Sequence, residues 1–390
     1  MKKKAIIVAG VMSGTSADGI DVALVRMEAH SRATFKLLGH AEYPYPKKVR
    51  AAVLAAMNAP QASVADLSRL NFLLGELYAE AVLATERQLR VKVDLVGCHG
   101  QTLYHQGEPQ PFLGRNLTAT WQTGEGAIVG ARVGAPVVSD FRPADMASGG
   151  KGAPLVPFLD YMLFRDVRVG RIVQNIGGIA NLTAIPAGAA PEGVFAFDTG
   201  PGNMVIDAVT DKLFGQPFDR SGKIAASGKV LEKVINNFLQ RAFFKKQPPK
   251  TAGREEFGRE FVREFLLGCK GHRKQDIVAT ATALTANSIA DAVRRFVIRN
   301  SNSARKPAFH EMILSGGGAK NAALVTMLTS QLAPLGLRLR FSDEFGLPSA
   351  AKEAVAFAVL AHETWHRRAS NIPSATGARR AVVLGKISYP

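Results

Sequence analysis

The first apolar segments of the chain predict two strands joined by a polar loop. Residues 4–12, KAIIVAGVM, and residues 20–27, IDVALVRM, are dominated by apolar and β-branched side chains, which favour strands. The seven residues between them, SGTSADG, exceed what a tight hairpin turn requires. Two interpretations of this loop are open at this point: a hairpin turn that binds no ligand, and a loop that binds one.

Helical periodicity follows in residues 62–90. Leu67, Leu70 and Leu74 recur at the spacing of one helical face, and Ser63 is placed to cap the N-terminus. The next segment, VDLVGCHGQT, predicts a buried strand that runs into a polar glycine loop.

The second half of the chain repeats this order of strand pair, helices, and strand with glycine loop. The segments concerned are GRIVQNIGGIANLTAI, VIDAVTDKLFG, ATALTANSIADAVRRFVIRN and HEMILSGGGAKNAALVTMLTSQL. A repeated pattern of this kind predicts a duplicated α/β domain with a cleft between the halves. We place a first domain at 1–135 and a second at 136–366, with a helical elaboration near 215–275. A C-terminal segment of about 367–390, which ends in a short strand-like piece, could return to the first domain.

Composition is that of a globular protein. Of the 390 residues, 47% are hydrophobic and 21% charged, and no apolar run approaches the roughly 18 residues of a membrane span. The start, MKKKAIIVAGVM, is interpreted as a first strand rather than a secretion signal, because no small-residue cleavage site follows it. Cys98 and Cys269 show neither a disulfide framework nor metal-ligand spacing, which favours a reducing cytoplasm.

The net charge of +17 raises the question of a nucleic-acid partner. The basic residues are spread along the chain and lack the interleaved aromatic residues of a base-stacking surface. We therefore expect a general attraction for anionic substrates, with no nucleic-acid and no membrane partner.

The loop SGTSADG carries the groups that hold phosphate. Hydroxyls of Ser13, Thr15 and Ser16, with backbone N–H groups beside the glycines, suit phosphate oxygens. Asp18 and Asp21 are oxygen ligands of the kind that Mg²⁺ takes. The loop lacks the Gly-Lys-Ser/Thr of a P-loop, and a hairpin without a ligand stays the alternative.

Further candidates stand at predicted strand ends, where ligands bind in α/β folds. Asp198 ends an apolar strand and precedes Thr-Gly-Pro-Gly-Asn, so that it could act as a general base near a bound phosphate. The alternative for Asp198 is a turn that only caps the next helix. Three consecutive glycines at 316–318 would let a ligand approach the backbone.

The remaining candidates each have a structural alternative. His99 could simply be a satisfied structural histidine, and Arg142 could pair with Asp145 instead of holding an anion. Glu353, in the first turn of a predicted helix, could be only a partner of the helix dipole.

Together these motifs resemble the anhydro-N-acetylmuramic acid kinase family over about residues 11–366. The segments that carry the resemblance are MSGTSADGIDVAL, CHGQT, DFRPADMASGGKGAPLVPFLD, NIGGIANLT, FDTGPGNMVID, FDRSGKIAASG, PPKTAGREEFG and LSGGGAKN. The resemblance implies an α/β fold of duplicated actin-like (ribonuclease H-like) ATPase domains with an interdomain cleft. It also implies a cytoplasmic enzyme of cell-wall recycling, which could form a homodimer. The enzyme would use ATP and Mg²⁺ to open the 1,6-anhydro ring of the sugar and phosphorylate O6.

The resemblance distributes the candidate residues over three roles. Asp198 matches the catalytic base, and Asp18 and Asp21 are the candidates for the metal. The sugar-side candidates are His99, Gln101, Thr102, Arg142, Asp145 and Glu353. The nucleotide-side candidates are Ser13, Gly14, Thr15, Ser16, Ala17, Asp18, Gly19, Asp21, Gly177, Gly178, Asn181, Gly316, Gly317, Gly318 and Asn321. Competing hypotheses are a kinase of another amino sugar and an actin-like or Hsp70-like ATPase that switches a partner interaction.

Overall fold

The computed structural model describes residues 5–14, 16–28, 35–298 and 309–390. The chain forms two compact units, Met1–Leu163 with Ala350–Pro390, and Phe164–Ser349. The first unit thus extends beyond the predicted boundary at 135, and the returning segment begins at Ala350 rather than near 367.

Twelve strands are found in the described ranges. They are β1 (Ala5–Ser13), β2 (Gly19–Glu28), β3 (Phe35–Pro44), β4 (Leu95–Phe112), β5 (Arg115–Thr123), β6 (Val137–Ser139), β7 (Arg171–Ile176), β8 (Ile179–Ile185), β9 (Phe195–Pro201), β10 (Glu311–Ser315), β11 (Arg338–Phe341) and β12 (Lys386–Ser388).

The same ranges contain fifteen α-helices. They are α1 (Lys47–Ala56), α2 (Val64–Leu89), α3 (Gly126–Val133), α4 (Phe141–Ala147), α5 (Pro157–Phe164), α6 (Asn203–Phe214), α7 (Lys223–Ala226), α8 (Glu232–Leu239), α9 (Ala242–Lys245), α10 (Arg254–Phe257), α11 (Arg259–Gly268), α12 (Lys274–Ala292), α13 (Ala322–Leu332), α14 (Lys352–Trp365) and α15 (Pro373–Thr376). Each of these helices is too short or too polar to cross a bilayer.

The two sheets share one strand order. In the first unit the order is β3-β2-β1-β4-β6, with β12 beside β6 and β5 beside β4. In the second it is β9-β8-β7-β10-β11. In both, the first three strands are antiparallel neighbours and the next two pair in parallel. This repeated topology confirms the duplicated actin-like α/β fold expected from the sequence.

Most predicted elements are present. The strand pair β1–β2 and the helices α2, α6, α12, α13 and α14 form where the pattern places them, and Ser63 caps α2 by accepting a hydrogen bond from the Asp66 N–H. The short helices α7–α11 make up the predicted helical elaboration. The prediction of a loop at HGQT was wrong, because β4 continues through it to Phe112 and pairs with β5.

Helix α14 belongs to the first unit because two glycines let it lie directly on the sheet. A Cβ at Gly10 would stand 1.8 Å from the carbonyl oxygen of Ala354, and one at Gly97 would stand 2.2 Å from that of Phe357. The side chains of α14 are almost all buried. Since α14 packs on β1 and β4 in this way, the predicted second domain loses its last helix to the first unit.

Candidate active site

The loop after β1 is fixed by a buried hydrogen-bond network. The Ser13 hydroxyl donates to Gln101 Oε1 at 2.7 Å and accepts from the Tyr45 hydroxyl at 2.9 Å. The Gln101 amide then donates to the carbonyl oxygen of Gly14 at 3.1 Å. Ser13 and Gln101 are 1% and 0% exposed. Both side chains are therefore engaged beneath the loop and hold its first residues in place.

The exposed part of the loop consists of Ser16 and Asp18. The Ser16 hydroxyl donates to Asp18 Oδ1 at 2.8 Å, while Ala17 between them is buried with a φ of 50°. Gly19, at the start of β2, is needed because a Cβ there would lie 2.5 Å from the Tyr43 carbonyl oxygen. Thr15 lies outside the described residues. Among its described residues, the loop thus presents the Ser16 hydroxyl and the Asp18 carboxylate, with backbone groups, to solvent.

Asp21 stands with two side chains that the sequence did not place beside it. Asp21 of β2 lies opposite Glu42 of β3, and His40 Nε2 lies 3.7 Å from Asp21 Oδ1. Potential ligand atoms of the three residues all lie within 4.8 Å of one another. Two carboxylates directly opposite on neighbouring strands repel each other, and a cation would relieve that repulsion.

His99 and Arg142 form a polar pair within the first unit. Arg142 Nη2 lies 2.8 Å from His99 Nε2, and His99 Nδ1 lies 2.7 Å from the carbonyl oxygen of Gly100. Because a guanidinium can only donate, Nε2 accepts and Nδ1 carries the ring proton. Burial and the Arg142 charge lower the pKa of His99 well below its usual value, in agreement with a neutral ring.

Arg142 keeps its charge although it is desolvated. Its Nη1 donates to the carbonyl oxygen of Gly152 at 2.6 Å, while Nε is buried without a partner among the described residues. Burial lowers the pKa of Arg142 to about 10, against the attraction of Glu353 and Asp145. The guanidinium is therefore cationic at neutral pH and held in place by neutral acceptors.

Asp145 is held entirely by its own unit. It is 0% exposed; Oδ1 accepts from the Asn371 amide and the Thr376 hydroxyl, each at 2.7 Å, and Oδ2 accepts from the Gly152 N–H at 2.9 Å. These bonds tie α4 to the C-terminal segment. With both oxygens engaged, Asp145 positions the loop that carries Gly152 and is poorly suited to contact a sugar.

Glu353 and Thr102 are accessible candidates of the same unit. Glu353 lies exposed in the first turn of α14, and its pKa is raised by desolvation and by the charge of Asp21. The positive charges of Lys352 and Arg142 oppose that shift. Thr102 Oγ1 accepts a hydrogen bond from the Gln122 amide at 3.3 Å.

Asp198 is the candidate general base and lies in the second unit. It is half-buried in β9, and its Oδ2 accepts from the Ala252 N–H at 2.7 Å. Within the described part of the chain, no hydrogen bond holds its Oδ1. Desolvation raises the pKa of Asp198 to about 6, against the lowering effects of the Ala252 N–H and Lys250, with Glu255 adding a further raising effect. A carboxylate of this kind can accept a proton near neutral pH.

Three polar residues share one level of the sheet with Asp198. Asn181 of β8 lies opposite Asp198, Asn175 of β7 lies opposite Asn181, and Ser315 of β10 lies beside Asn175. The Ser315 hydroxyl lies 3.4 Å from Asn175 Oδ1. Residues paired across strands point to the same face, so these side chains form a polar row that ends at Asp198.

The turn Gly177–Gly178 holds the start of α6. The Gly177 carbonyl oxygen accepts from the Asn203 N–H at 2.7 Å, and that of Gly178 accepts from the Gly202 N–H at 2.9 Å. A Cβ at Gly202 would lie 2.2 Å from the Gly177 oxygen. These two glycines therefore satisfy N–H groups at the helix N-terminus, which removes those donors from the set available to a phosphate.

The three glycines after β10 differ in what a side chain at each position would meet. Gly316 has a φ of 84°, and its Cβ would lie 2.6 Å from the Ile176 carbonyl oxygen; a Cβ at Gly318 would lie 2.3 Å from Ile176 Cγ2. Gly317 meets only Asn203 Nδ2, at 3.4 Å. Packing thus accounts for two of the glycines, while Gly317 remains accessible to a ligand.

Asn321 caps helix α13. Its side-chain oxygen accepts from the Leu324 N–H at 3.1 Å, and the residue is 7% exposed. Capping the helix is a structural role for Asn321 and the alternative to a contact with the nucleotide.

Lys250 and Ala252 are the residues that the sequence-based candidates lacked. Both lie in the segment PPKTAGREEFG, which contributed to the family resemblance. The sequence did not indicate which residue this segment contacts. The structure places the Lys250 carbonyl and the Ala252 N–H against Asp198, which is more than fifty residues earlier in the chain.

Comparisons with known proteins match this chain over nearly its whole length. The family model described as anhydro-N-acetylmuramic acid kinase covers residues 6–390. An anhydro-N-acetylmuramic acid kinase of Bacillus cereus is 42% identical over 389 residues, which is 98% of this chain and 99% of that protein. The protein of the same name from Bacillus thuringiensis subsp. konkukian gives the same identity and coverage.

Among solved structures, component A of the (R)-2-hydroxyglutaryl-CoA dehydratase of Acidaminococcus fermentans is 12% identical, with a TM-score of 0.45 over 92% of this chain and 98% of that one. A similarity at this level supports no conclusion about activity. The family match and the 42% identity over nearly the full length are decisive. The chain therefore belongs to the anhydro-N-acetylmuramic acid kinase family and is a phosphotransferase.

Proposed function

We propose that this protein uses ATP and water to convert 1,6-anhydro-N-acetylmuramic acid into N-acetylmuramic acid 6-phosphate. The observation that carries the proposal is Asp198, a half-buried carboxylate with one oxygen held and a pKa near 6. The names of the relatives support the sugar, and the family supports the use of ATP.

O6 of the anhydro sugar carries no proton, so the base in this reaction acts on water and not on a sugar hydroxyl. In the proposed step, water adds to the anomeric carbon, the bond from that carbon to O6 breaks, and O6 takes the γ-phosphoryl group as ADP leaves. The Asp198 carboxylate takes the proton of the water. The anomeric carbon passes through the oxocarbenium-like state of glycoside hydrolysis, in which a carboxylate base activates water. The phosphoryl half depends mainly on positioning and charge.

The phosphate side of the reaction is assigned to the loop of residues 13–19. The buried network of Ser13, Gln101 and Tyr45 holds the chain at Ser13 and Gly14, so this end of the loop is ordered before phosphate arrives, which lowers the entropic cost of binding. In the second unit, Gly317 is the accessible member of the glycine run and the candidate for contact with the nucleotide.

Mg²⁺ is assigned to carboxylates of the first unit. Asp18 is exposed with Oδ1 bound to the Ser16 hydroxyl, and Asp21 lies beside Glu42. Carboxylate oxygens of this kind fit the preference of Mg²⁺. When bound, the ion would neutralise charge on the phosphate oxygens.

The sugar side is assigned to Arg142 and Glu353. Muramic acid carries a carboxylate on its lactyl group, and the cationic Arg142, held by neutral His99, is suited to an anionic group. Glu353 is exposed and could accept a hydrogen bond from a sugar hydroxyl. Asp145 and Gln101 are assigned to positioning, because their polar atoms are engaged within the unit.

The setting we propose is recycling of cell-wall sugar in a reducing cytoplasm. Both cysteines, Cys98 and Cys269, are buried free thiols, which fits that compartment.

The test compares ADP release with three sugars: 1,6-anhydro-N-acetylmuramic acid, N-acetylmuramic acid and N-acetylglucosamine. We expect turnover only with the anhydro sugar and a product heavier by one phosphoryl group (HPO3) and one water. Turnover with a sugar that has a free O6 hydroxyl would instead favour an ordinary amino-sugar kinase. ADP release without any sugar would favour an ATPase switch.

The pH dependence of kcat/KM follows from the pKa of Asp198. A base must be ionised, so activity is half-maximal at a pH of about 6, approaches its full value as the pH rises above 6 and is lost as the pH falls below it. Asp207 provides a matched control, because it is also half-buried and its pKa is also raised to about 6, but no catalytic role is proposed for it. The Asp207→Asn variant should keep the acid limb of the pH profile, that is, the fall of kcat/KM towards low pH. Loss of that limb in this variant, or its absence from the wild type, would contradict the assignment.

A further inference from the structure

Lys250 is a buried cation next to the candidate base. It is 2% exposed, and its ammonium donates one hydrogen bond, to the Phe243 carbonyl oxygen at 3.1 Å. Three aromatic rings lie around the ammonium: Nζ lies 4.6 Å from the ring centre of Phe243, 4.8 Å from that of Phe296 and 6.0 Å from that of Phe197. We call this arrangement the aromatic cage.

An apolar side chain would fill such a cage at lower cost. Removing an ammonium from water has a large cost even after the protein relaxes, which cation–π contacts and a hydrogen bond must offset, whereas an apolar side chain carries no such cost. A cation kept in this place therefore calls for a reason besides packing.

The backbone on either side of the cage holds Asp198 at two points. The Asp198 N–H donates to the Lys250 carbonyl oxygen at 3.0 Å, and the Ala252 N–H donates to Asp198 Oδ2 at 2.7 Å. Phe197, which precedes Asp198 in β9, is itself a wall of the cage. The position of the ammonium and the position of the carboxylate are thus linked through residues 250–252 and through β9.

Electrostatics link the two groups as well. The positive charge of Lys250 lowers the pKa of Asp198, and the negative charge of Asp198 raises that of Lys250. Burial nevertheless lowers the pKa of Lys250 to about 8. The other charges that act on this pair are Glu255 on Asp198, and Arg295, Asp291 and Lys246 on Lys250.

We propose that Lys250 is a positioning residue for the reaction: the caged ammonium fixes residues 250–252 against Asp198 and supplies a positive charge that acts on that carboxylate. This inference rests on the proposed function of Asp198 as the base. It assigns to the motif PPKTAGREEFG a role in preparing the base rather than in contacting nucleotide or sugar.

The first test is Lys250→Met, which keeps the length and apolar stem of the side chain and removes the charge. We expect kcat to fall about tenfold and the acid limb of kcat/KM to move up by about 0.5 pH unit or more, because an opposite charge that favoured the ionised form is gone. Lys245→Met is the control, since this lysine is exposed, lies in the same segment and is not among the charges that act on Lys250. It should leave both quantities unchanged. A folded Lys250→Met protein with an unmoved acid limb would overturn the proposal and leave Lys250 a structural residue.

A second test does not depend on the stability of that variant or on activity. NMR of lysine labelled with ¹³C at Cε follows the titration of Lys250, whose lowered midpoint distinguishes it from exposed lysines. In Asp198→Asn the midpoint should fall further, because the attracting carboxylate is removed; an unchanged midpoint would overturn the coupling. If instead Asp198→Asn remained active, the base assignment would fail, while the midpoint would still report the coupling.

Discussion

Asp198→Asn is expected to lower turnover at least about 10³-fold while leaving nucleotide binding within twofold of the wild type. The amide keeps the shape of the side chain and can still accept from the Ala252 N–H, but it cannot take a proton from water. General bases contribute typically 10²–10⁴-fold, and no hydroxyl on O6 offers an alternative route in the anhydro sugar. Single-turnover ADP release, together with calorimetric titration of a non-hydrolysable ATP analogue, measures both quantities.

The same substitution should make the protein more stable at pH 7.5. The pKa of Asp198 is raised in the folded protein to about 6 from an ordinary 3.8, so ionisation opposes folding, and this penalty grows as the pH rises between these values. The asparagine is neutral throughout and escapes the penalty. Thermal unfolding should show a higher Tm for Asp198→Asn at pH 7.5 and no such gain below about pH 4. Near-wild-type turnover, or a Tm that falls at pH 7.5, would contradict the account of this site.

Gly10→Ala is expected to reduce the free energy of unfolding by about 3 kcal/mol. The new Cβ would stand 1.8 Å from the carbonyl oxygen of Ala354 and 2.8 Å from the N of Ala358. Both contacts are with backbone, so α14 or β1 must shift, and overpacking of this kind costs typically 1–3 kcal/mol and occasionally more. Because Glu353 directly precedes Ala354, the KM for the sugar should rise as well.

Gly268→Ala is the matched control for this prediction. Its Cβ would meet Phe238 Cε2 at 3.5 Å, which is an ordinary contact, at the end of α11. Denaturant unfolding should show no loss of stability for this variant and a large loss for Gly10→Ala. Equal stability of the two variants would mean that α14 does not rest on β1 through Gly10.

The sequence predicted elements better than it predicted the contacts between them. Apolar periodicity and capping located α2 and Ser63 because these signals are local. The boundary at 135 missed because β6 is only three residues long and joins its sheet by pairing with β4 and β12. The placement of α14 in the first unit depends on Gly10 and Gly97, whose need for a missing Cβ is visible only once the helix lies on them.

The candidate site shows the same division. Asp198 could be chosen from the sequence, since a carboxylate between an apolar run and a glycine-rich segment has a local signature. The prediction that it ends its strand was wrong, because β9 continues through it to Pro201. The row formed with Asn175 and Asn181, and the clamp from Ala252, depend on strand register and on a chain reversal. Asp145 illustrates the opposite case, because its sequence context suggested a ligand contact while three hydrogen bonds hold it inside the unit.

The central claim is that water attacks the anomeric carbon while O6 receives the phosphoryl group, and labelled water tests it most directly. A single turnover in ¹⁸O-labelled water, followed by mass spectrometry of the product, locates the oxygen that water supplies; authentic N-acetylmuramic acid 6-phosphate in the same water controls for exchange. We predict one ¹⁸O atom on the anomeric carbon and none in the phosphoryl group. Label found in inorganic phosphate with the anhydro ring intact, or a phosphorylated sugar that contains no label, would contradict it.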